Sequence, residues 1–269
     1  MSLKAILFDL DDTLLWDDRS VAEAFTATCE AAVRQYPQLK ATELEASVRK
    51  EARAMYESFD TFPFTKMIGI NPFEALWGNF SEGEDENFVK LRSLAPGYRT
   101  AAWTKGLLAL GIDDAELGQV LGELFPKERR ARPIVYDDTF ALLDALKGNY
   151  KLLLLTNGSP DLQKEKIAGV PKLAAYFDEI IISGQFGEGK PAISIFQHAM
   201  KLLNISPNDG LMVGDKLTTD ILGSNRVGMR NVWINHHEVV RSNEIIPTYE
   251  IKDVGELMAI IENLALRSA

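Results

Sequence analysis

The stretch AILFDLDDTLLW, residues 5–16, sets a short apolar run directly against three carboxylates. Lys4 to Phe8 is a short run bounded by charge, which is typical of a buried strand in a parallel sheet. Asp9 and Asp11 follow two residues apart, so on an extended chain their side chains point to the same side. Two carboxylates about 4 Å apart repel by about 4 kcal/mol at an effective dielectric constant of 20, and a divalent cation would offset that repulsion. All-oxygen ligands favour Mg²⁺; the alternative is a strand end with solvated acids.

Four more apolar runs follow later in the chain. They are YKLLLLTNG (150–158), FDEIIISG (177–184), GLMVGD (210–215) and RNVWIN (230–235). Segments of helical character separate them, at 138–147, 160–168, 192–203 and 219–227, and a further helix over 254–266 closes the sheet. Strands that alternate with helices predict an α/β fold, a Rossmann-like doubly wound parallel sheet. Ligands of such folds bind beyond the carboxyl ends of the strands.

Residues 17–135 have a different pattern, without a good buried strand. Amphipathic stretches cover 21–36, 42–59, 85–94 and 113–125. The segments FPFTKMIGINPF (62–73) and APGYR (95–99) contain Pro and Gly and are interpreted as turns between helices. We therefore predict an all-helical domain over 17–135, inserted into an α/β domain formed by 1–16 and 136–269.

Composition limits the partners and the compartment. The 269-residue chain carries a formal net charge of −10, which disfavours binding to nucleic acid or to an anionic membrane. No stretch of about eighteen apolar residues predicts a membrane span, and no secretory signal precedes Asp9. Cys29 is the single cysteine, which fits a reducing cytoplasm. We therefore expect a cytoplasmic protein, and an anionic substrate would need local positive charge.

Two further aspartates follow the fourth apolar run. Asp215 is the last residue of that run, and Asp220 comes one helical turn later. If the first and fourth runs end at the same edge of the sheet, Asp215 can complete a metal site with Asp9.

Groups suited to an anionic substrate occur elsewhere in the chain. Lys190 stands just before a predicted helix and can neutralise an anionic substrate or intermediate. The second run ends in the hydroxyl of Thr156 and the amides of Asn157 and Gly158, where a phosphate oxygen could bind.

Taken together and in this order, these motifs resemble the haloacid dehalogenase superfamily. They are Asp9-x-Asp11-x-Thr13, Thr156, Lys190, and Gly214-Asp215 with Asp220. The long insert resembles the helical C1-type cap of that superfamily. Within it, LLLLTNGSPDLQKEKI and GDKLTTDILGSNRVGMRNVWIN are similar to N-acylneuraminate-9-phosphatase and related sugar-phosphate and nucleotide phosphatases.

The resemblance implies a Mg²⁺-dependent phosphatase that forms an aspartyl-phosphate. Asp9 is then the nucleophile, and Asp11 is the general acid and base. The resemblance also implies that the metal is held by Asp9, the backbone carbonyl of Asp11, and Asp215. The implied substrate is a small phosphorylated metabolite. Independently of the resemblance, we expect a monomer or homodimer.

The remaining motif residues receive supporting roles from the same resemblance. Thr156 and Lys190 stabilise charge on the phosphoryl oxygens. Asp220 orients a metal-bound water or Lys190, and Thr13 holds the loop that follows the first strand. Asp12 stands where the superfamily often has Gly, and its side chain is expected to point away from Asp9 and Asp11.

Three alternatives remain open. A dehalogenase needs no acid at the position of Asp11, because its leaving group is a halide. A phosphomutase would keep every motif and return the phosphate to its substrate. A catalytically silent binding protein could share the fold, although no motif residue has been lost. His236 and His237 follow the fifth run as loop residues without zinc-like spacing.

Overall fold

The computed structural model describes residues 3–240 and 244–266. The chain forms two compact units. The α/β unit consists of Met1–Trp16, Ile134–Gly158 and Val170–Ala269, and the helical unit consists of Asp17–Pro133 and Ser159–Gly169. Across the described ranges, no helix is long and apolar enough to cross a membrane.

A six-stranded sheet, parallel throughout, forms the centre of the α/β unit. Its strands are β1 (Ala5–Phe8), β2 (Lys151–Thr156), β3 (Glu179–Ile182), β4 (Gly210–Gly214), β5 (Arg230–Ile234) and β6 (Tyr249–Ile251). The spatial order is β3-β2-β1-β4-β5-β6. The predicted doubly wound parallel sheet is confirmed. The sixth strand is an addition: it has three residues and only Ile251 is buried, so no apolar run marks it in the sequence.

Helices connect the strands and build the second unit. In chain order they are α1 (Asp17–Gln35), α2 (Ala41–Glu57), α3 (Phe62–Ile68), α4 (Pro72–Ala75), α5 (Glu86–Leu108), α6 (Ala115–Arg130), α7 (Thr139–Leu146), α8 (Pro160–Ala168), α9 (Ser183–Phe186), α10 (Ile193–Leu203), α11 (Leu222–Arg226) and α12 (Leu257–Leu266). A π-helical turn over Leu217–Ile221 precedes α11. Short 3₁₀ turns occur at Leu173–Tyr176, Pro207–Asp209 and Val254–Glu256.

The central strand β1 is covered on both faces. All four of its side chains are fully buried. Ala5 and Leu7 share one hydrophobic cluster with Phe196 and Ala199 of α10, and Ile6 and Phe8 are equally buried on the other face. Burial on both faces explains why this strand is a continuous apolar run rather than an alternating one.

Helix α5 contradicts the predicted turn at APGYR. Its 23 residues run through Pro96 and Gly97, which are both exposed. Buried apolar side chains recur on the opposite face at steps of three and four, namely Phe88, Leu91, Ala95, Tyr98 and Ala102. A proline inside a helix costs about 3 kcal/mol, but burying one large apolar side chain contributes about 1.5–3 kcal/mol. The packing of the whole face therefore outweighs the local effect of Pro96.

The predicted turn over 62–73 is also wrong, because it contains α3 and the start of α4. Pro63 and Pro72 lie in the first turns of these helices. Backbone N–H groups there have no partner within the helix, so a proline, which has no N–H, breaks no helical hydrogen bond. Gly69 ends α3 with a φ of 83°, and Asn71 caps α4 by accepting hydrogen bonds from the amides of Phe73 and Glu74. The Pro and Gly residues thus mark helix ends rather than a loop.

The segments that lead into and out of residues 17–133 run side by side within the α/β unit. Trp16 N–H donates to Ile134 O at 3.0 Å, and Tyr136 N–H donates to Leu14 O at 3.3 Å. The first segment of the helical unit ends at Pro133, close to the predicted boundary at 135. It also includes α8, which the predicted boundaries placed in the α/β domain.

A buried cluster of charges explains why α8 belongs to the helical unit. Lys166 Nζ on α8 lies 2.9 Å from Glu74 Oε1 and 3.3 Å from Asp17 Oδ1. The guanidinium of Arg129 pairs with Asp17 and lies 4.8 Å from the ring centroid of Trp77. The Lys166 side chain is only 2% exposed. The carboxylates of Asp17 and Glu74 and the cations of Lys166 and Arg129 therefore neutralise one another in a buried cluster. Removing one of the four would leave a buried charge without its counter-charge.

We expect Lys166→Met to lower the free energy of unfolding by about 3 kcal/mol, because it leaves Glu74 and Asp17 with too little positive charge in a buried setting. Urea denaturation measures this change. The matched control is Lys164→Met on the same helix, where the ion pair with Glu82 is nearly half exposed on both sides. That variant should lose less than about 1 kcal/mol. Equal losses of unfolding free energy in the two variants would show that the buried cluster stabilises the protein no more than the exposed ion pair does.

Candidate active site

The candidate site lies where the strand order of the sheet reverses, at the carboxyl ends of β1 and β4. Phe8 is in register with Val213, and Asp9 N–H continues the pairing by donating to Val213 O at 2.9 Å. Asp215 follows β4 directly. A ligand site is expected at such a reversal because the connections leave in opposite directions and open a crevice.

Three carboxylates converge at this point. Asp9, Asp215 and Asp220 each offer a ligand oxygen, and these oxygens lie within 4.8 Å of one another. Burial, together with the charges of Asp9 and Asp220, raises the pKa of Asp215 well above its usual range. Burial also raises the pKa of Asp220 to about 6, although Lys190 opposes the shift. The cluster therefore holds more negative charge than the surroundings compensate.

Lys190 provides positive charge inside the cluster. Its Nζ lies 2.6 Å from Asp9 Oδ1 and 2.7 Å from Asp220 Oδ1. Burial by itself would lower the pKa of Lys190, but the two carboxylates outweigh it and raise the pKa above the usual range. Three carboxylates thus face one ammonium, and this all-oxygen donor set fits a hard divalent cation such as Mg²⁺.

The backbone of Lys190 is held by the turn that follows β2. Asn157 Nδ2 donates to Lys190 O at 2.9 Å, and Lys190 N–H donates to Asn157 Oδ1 at 2.9 Å. The side-chain amide of Asn157 therefore uses both its N–H and its oxygen to hold the backbone of Lys190. The sequence suggested the backbone amide of Asn157 as a phosphate donor; its side chain has a positioning contact that the motif pattern did not reveal.

The other two residues of this turn differ in their availability. Thr156 closes β2, and its side chain is almost fully buried. Gly158 adopts a φ of 145°, and its N–H donates to Ser183 Oγ at 2.9 Å. A phosphate contact of the Gly158 amide, which stays a prediction, would have to replace this hydrogen bond to Ser183.

The loop after β1 is a tight turn. The amides of Leu14 and Leu15 both donate to Leu10 O, and Thr13 is fully buried with its N–H 3.4 Å from the same oxygen. Asp12 has a φ of 55°, a left-handed conformation that explains why glycine suits this position. The Asp12 charge contributes to raising the pKa of Asp215, so its carboxylate acts on the cluster electrostatically.

The comparison with known proteins decides the family. A model of haloacid dehalogenase-like hydrolases matches residues 3–228. The chain belongs to the haloacid dehalogenase-like hydrolase family. The predicted membership and the hydrolase class are confirmed, and the site residues described above lie within the matched range.

Curated relatives of this hydrolase are named phosphatases. It is 32% identical to the phosphoserine phosphatase of Thermus thermophilus over 258 residues, which is 95% of this chain and 98% of that protein. It is 38% identical to the N-acylneuraminate-9-phosphatase of Mus musculus over 170 residues, 62% of this chain and 68% of that one.

Solved structures of low sequence identity share the fold. A magnesium-bound haloacid dehalogenase-like (HAD) hydrolase of Bacillus subtilis superposes with a TM-score of 0.66 at 22% identity. The match covers 97% of this chain and 99% of that one. The 2-haloacid dehalogenase of Pseudomonas syringae gives 0.60 at 21% identity, covering 99% of this chain and 100% of that one. At these identities the likeness concerns the architecture alone.

Three supporting residues of the hydrolase were missed from the sequence. Trp233 Nε1 donates to Asp215 O at 2.7 Å, Ser183 accepts from Gly158, and His236 Nε2 lies 3.0 Å from Asp12 O. The partner of Trp233 could have been inferred, because β5 pairs with β4 and sets Trp233 beside Gly214. Ser183 and His236 carry no spacing signal that separates them from ordinary loop residues.

Gly214 is needed for the position of Asp220. A Cβ added to Gly214 would lie 2.4 Å from Asp220 Cγ, a distance that real Cβ atoms do not show. Asp220 itself is held by Lys216 N–H, which donates to its Oδ2 at 3.1 Å. The close approach of strand and carboxylate therefore requires a residue without a side chain.

We expect Gly214→Ala to lower the free energy of unfolding by about 2 kcal/mol, because the added methyl overpacks a buried site and displaces Asp220. Urea unfolding checks this. The matched control is Gly97→Ala on the exposed face of α5, where a Cβ meets no atom within 4 Å. That variant should be stabilised by up to about 1 kcal/mol. A Gly214→Ala protein as stable as the wild type would disprove the steric constraint.

Proposed function

We propose that this hydrolase is a magnesium-dependent phosphatase that cleaves small phosphomonoesters through an aspartyl-phosphate on Asp9. The observation that carries the proposal is the ammonium of Lys190, buried between Asp9 and Asp220 beside Asp215. Phosphoryl transfer needs a positioned nucleophile and fixed positive charge, and this arrangement supplies both.

Asp9, the backbone carbonyl of Asp11, and Asp215 are the proposed metal ligands. When bound, Mg²⁺ supplies positive charge that offsets the negative charge of the phosphoryl group and of the carboxylates. The excess of carboxylates over cations in the cluster supports this assignment.

Asp9 and Asp11 divide the chemistry. The Asp9 carboxylate attacks phosphorus while the bond to the leaving oxygen breaks, and Asp11 in its acid form donates a proton to that oxygen. The products of this step are the free alcohol and a phosphorylated Asp9. Asp11, now a carboxylate, takes a proton from water as the water oxygen attacks phosphorus. The bond to Asp9 then breaks and inorganic phosphate leaves.

The neighbouring groups stabilise and position. The Lys190 ammonium and the Thr156 hydroxyl, with the amide of Asn157, balance charge on the phosphoryl oxygens. Asp220 holds Lys190 through the 2.7 Å contact, and the proposed role of Thr13, which is fully buried, is to pack the loop that carries Asp11. Gly158 has no direct part in this scheme.

The proposed substrate class is inferred from the curated relatives. The two relatives described above are named phosphoserine phosphatase and N-acylneuraminate-9-phosphatase, and both names refer to small phosphorylated metabolites. We assign the helical unit as the cap domain that the family resemblance implies. The expected state, monomer or homodimer, stays a prediction.

Dehalogenation is the competing activity, because solved dehalogenases share the fold. Asp11 favours phosphate esters, since an alkoxide leaving group needs a proton and a halide does not. Release of phosphate from a panel of phosphomonoesters, with 2-chloropropionate as the competing substrate, separates the two activities. Chloride release without phosphate release would overturn the proposal.

The metal requirement gives the first functional prediction. We expect EDTA to abolish hydrolysis of p-nitrophenyl phosphate and added Mg²⁺ to restore it, because the three carboxylates otherwise repel one another and the phosphate. Nitrophenolate absorbance measures the rate. Full activity in buffer treated with a chelating resin would show that no metal takes part.

The different roles of Asp9 and Asp11 lead to a second functional prediction. Asp9→Asn removes the nucleophile, so no phosphoenzyme should form with any substrate. Asp11→Asn keeps the nucleophile, and p-nitrophenolate needs little help to leave, so the first step should proceed. The second step should then stall, because no base activates the water. We expect a burst of nitrophenolate and a phosphate retained on Asp9, detected as added mass after acid quenching.

The control for these variants is Asp137→Asn, which removes an exposed carboxylate of the same unit. Its burst and turnover should match the wild type. Phosphate found on a residue other than Asp9, or trapped by Asp9→Asn as well, would reverse the assignment.

A further inference from the structure

Asp12 is held in an unusual backbone conformation by two hydrogen bonds. Its φ of 55° is disfavoured for any residue with a side chain. Its N–H donates to Leu15 O at 2.7 Å, and its carbonyl oxygen lies 3.0 Å from His236 Nε2. A carbonyl can only accept, so the imidazole carries its proton on Nε2 in this contact. Both backbone polar groups of Asp12 are thus fixed, one of them by a side chain from the loop after β5.

The imidazole of His236 is itself held by an aromatic stack. Its ring lies 4.5 Å from the Tyr136 ring, with 13° between the planes. Tyr136 stacks in turn on Trp16 at 5.1 Å and 14°. Trp16 and Tyr136 stand on the two segments that run side by side after β1 and before α7. The stack therefore fixes the ring plane of His236 against the same loop that its Nε2 reaches.

We propose that His236 is a positioning residue for the proposed reaction: its Nε2–H holds the Asp12 carbonyl and thereby fixes the loop that carries Asp9 and Asp11. The inference rests on the proposed function of those two aspartates. It goes beyond it, because the hydrogen bond of His236 is to the backbone of Asp12, so that His236 acts on Asp9 and Asp11 through the loop.

The geometry of the loop explains why one hydrogen bond matters. Asp11 precedes Asp12 directly, so any rotation of the Asp12 backbone moves both the carboxylate and the carbonyl of Asp11. The amides of Leu14 and Leu15 bind Leu10 O and close the turn within six residues. Such a short turn has no slack in which to absorb the rotation. Relaxation of Asp12 from its left-handed conformation would therefore be transmitted to Asp11.

The test uses two substitutions of His236 in the full-length protein. His236→Phe keeps a planar ring for stacking on Tyr136 but has no donor. His236→Gln loses the ring and places an amide N–H donor near the position of Nε2. Hydrogen–deuterium exchange of the peptide spanning residues 9–16, without added metal, reports on the loop independently of catalysis. Steady-state kinetics with p-nitrophenyl phosphate and Mg²⁺ report on the reaction.

We expect His236→Phe to speed exchange in that peptide about tenfold and to lower kcat about tenfold with KM nearly unchanged, as for the loss of one partly buried hydrogen bond. His236→Gln should recover most of both values. The matched control is His198→Phe on α10, which replaces a ring that packs against Phe186 with 5.0 Å between the ring centroids, away from the loop. It should change neither.

Each outcome has a defined meaning. Unchanged exchange in His236→Phe, or faster exchange with kcat unchanged, overturns the positioning role, as does failure of His236→Gln to recover kcat. A wild-type protein without phosphatase activity overturns the proposed function instead, while the exchange measurement still decides whether His236 holds the loop.

Discussion

One buried ammonium shared between two carboxylates determines the rest of the α/β unit. Lys190 binds Asp9 and Asp220 within 2.7 Å, and neither charge type could be buried there without the other. To bring them together, β1 and β4 must be adjacent and end at the same edge, which the register between Phe8 and Val213 provides. Gly214 must lack a side chain, and the lysine backbone must be clamped by Asn157. Each of these requirements is met by a different segment of the chain.

The chain as a whole repels anions, since its formal net charge is −10. A phosphorylated ligand is therefore attracted only where positive charge is concentrated locally. Lys190 supplies such charge, but two acids already pair with it, and burial together with the neighbouring carboxylates raises the pKa of Asp215. The proposed divalent cation would offset the negative charge of the carboxylates and so allow a phosphate to approach.

The sequence predicted the sheet well because its central strands are buried on both faces. β1, β2 and β4 consist almost entirely of fully buried apolar residues, and such runs are easy to recognise. β6 has one buried residue, so nothing in its sequence identifies it. Pro96 misled the prediction of α5 because local propensity is weaker than the packing of a whole helix face.

The same contrast applies to the site. Its acids and Lys190 follow strands or precede a helix and could be found by position. Asn157, Ser183 and His236 act through hydrogen bonds that depend on which loops meet in three dimensions. Sequence spacing carries no such information. The positive φ of Asp12 is likewise invisible when an aspartate replaces the expected glycine.

The grouping of α8 with the helical unit has a consequence for how this protein can vary. The polypeptide passes between the two units four times, at 16/17, 133/134, 158/159 and 169/170, rather than twice as for a simple insertion. Residues 17–133 are therefore not a self-contained cassette. Replacing them alone would remove Glu74, Asp17 and Arg129 and leave Lys166 of α8 buried without its counter-charges. Recombination that exchanges the helical unit must carry residues 159–169 with it, so this module evolves as two pieces of chain that are separated in sequence.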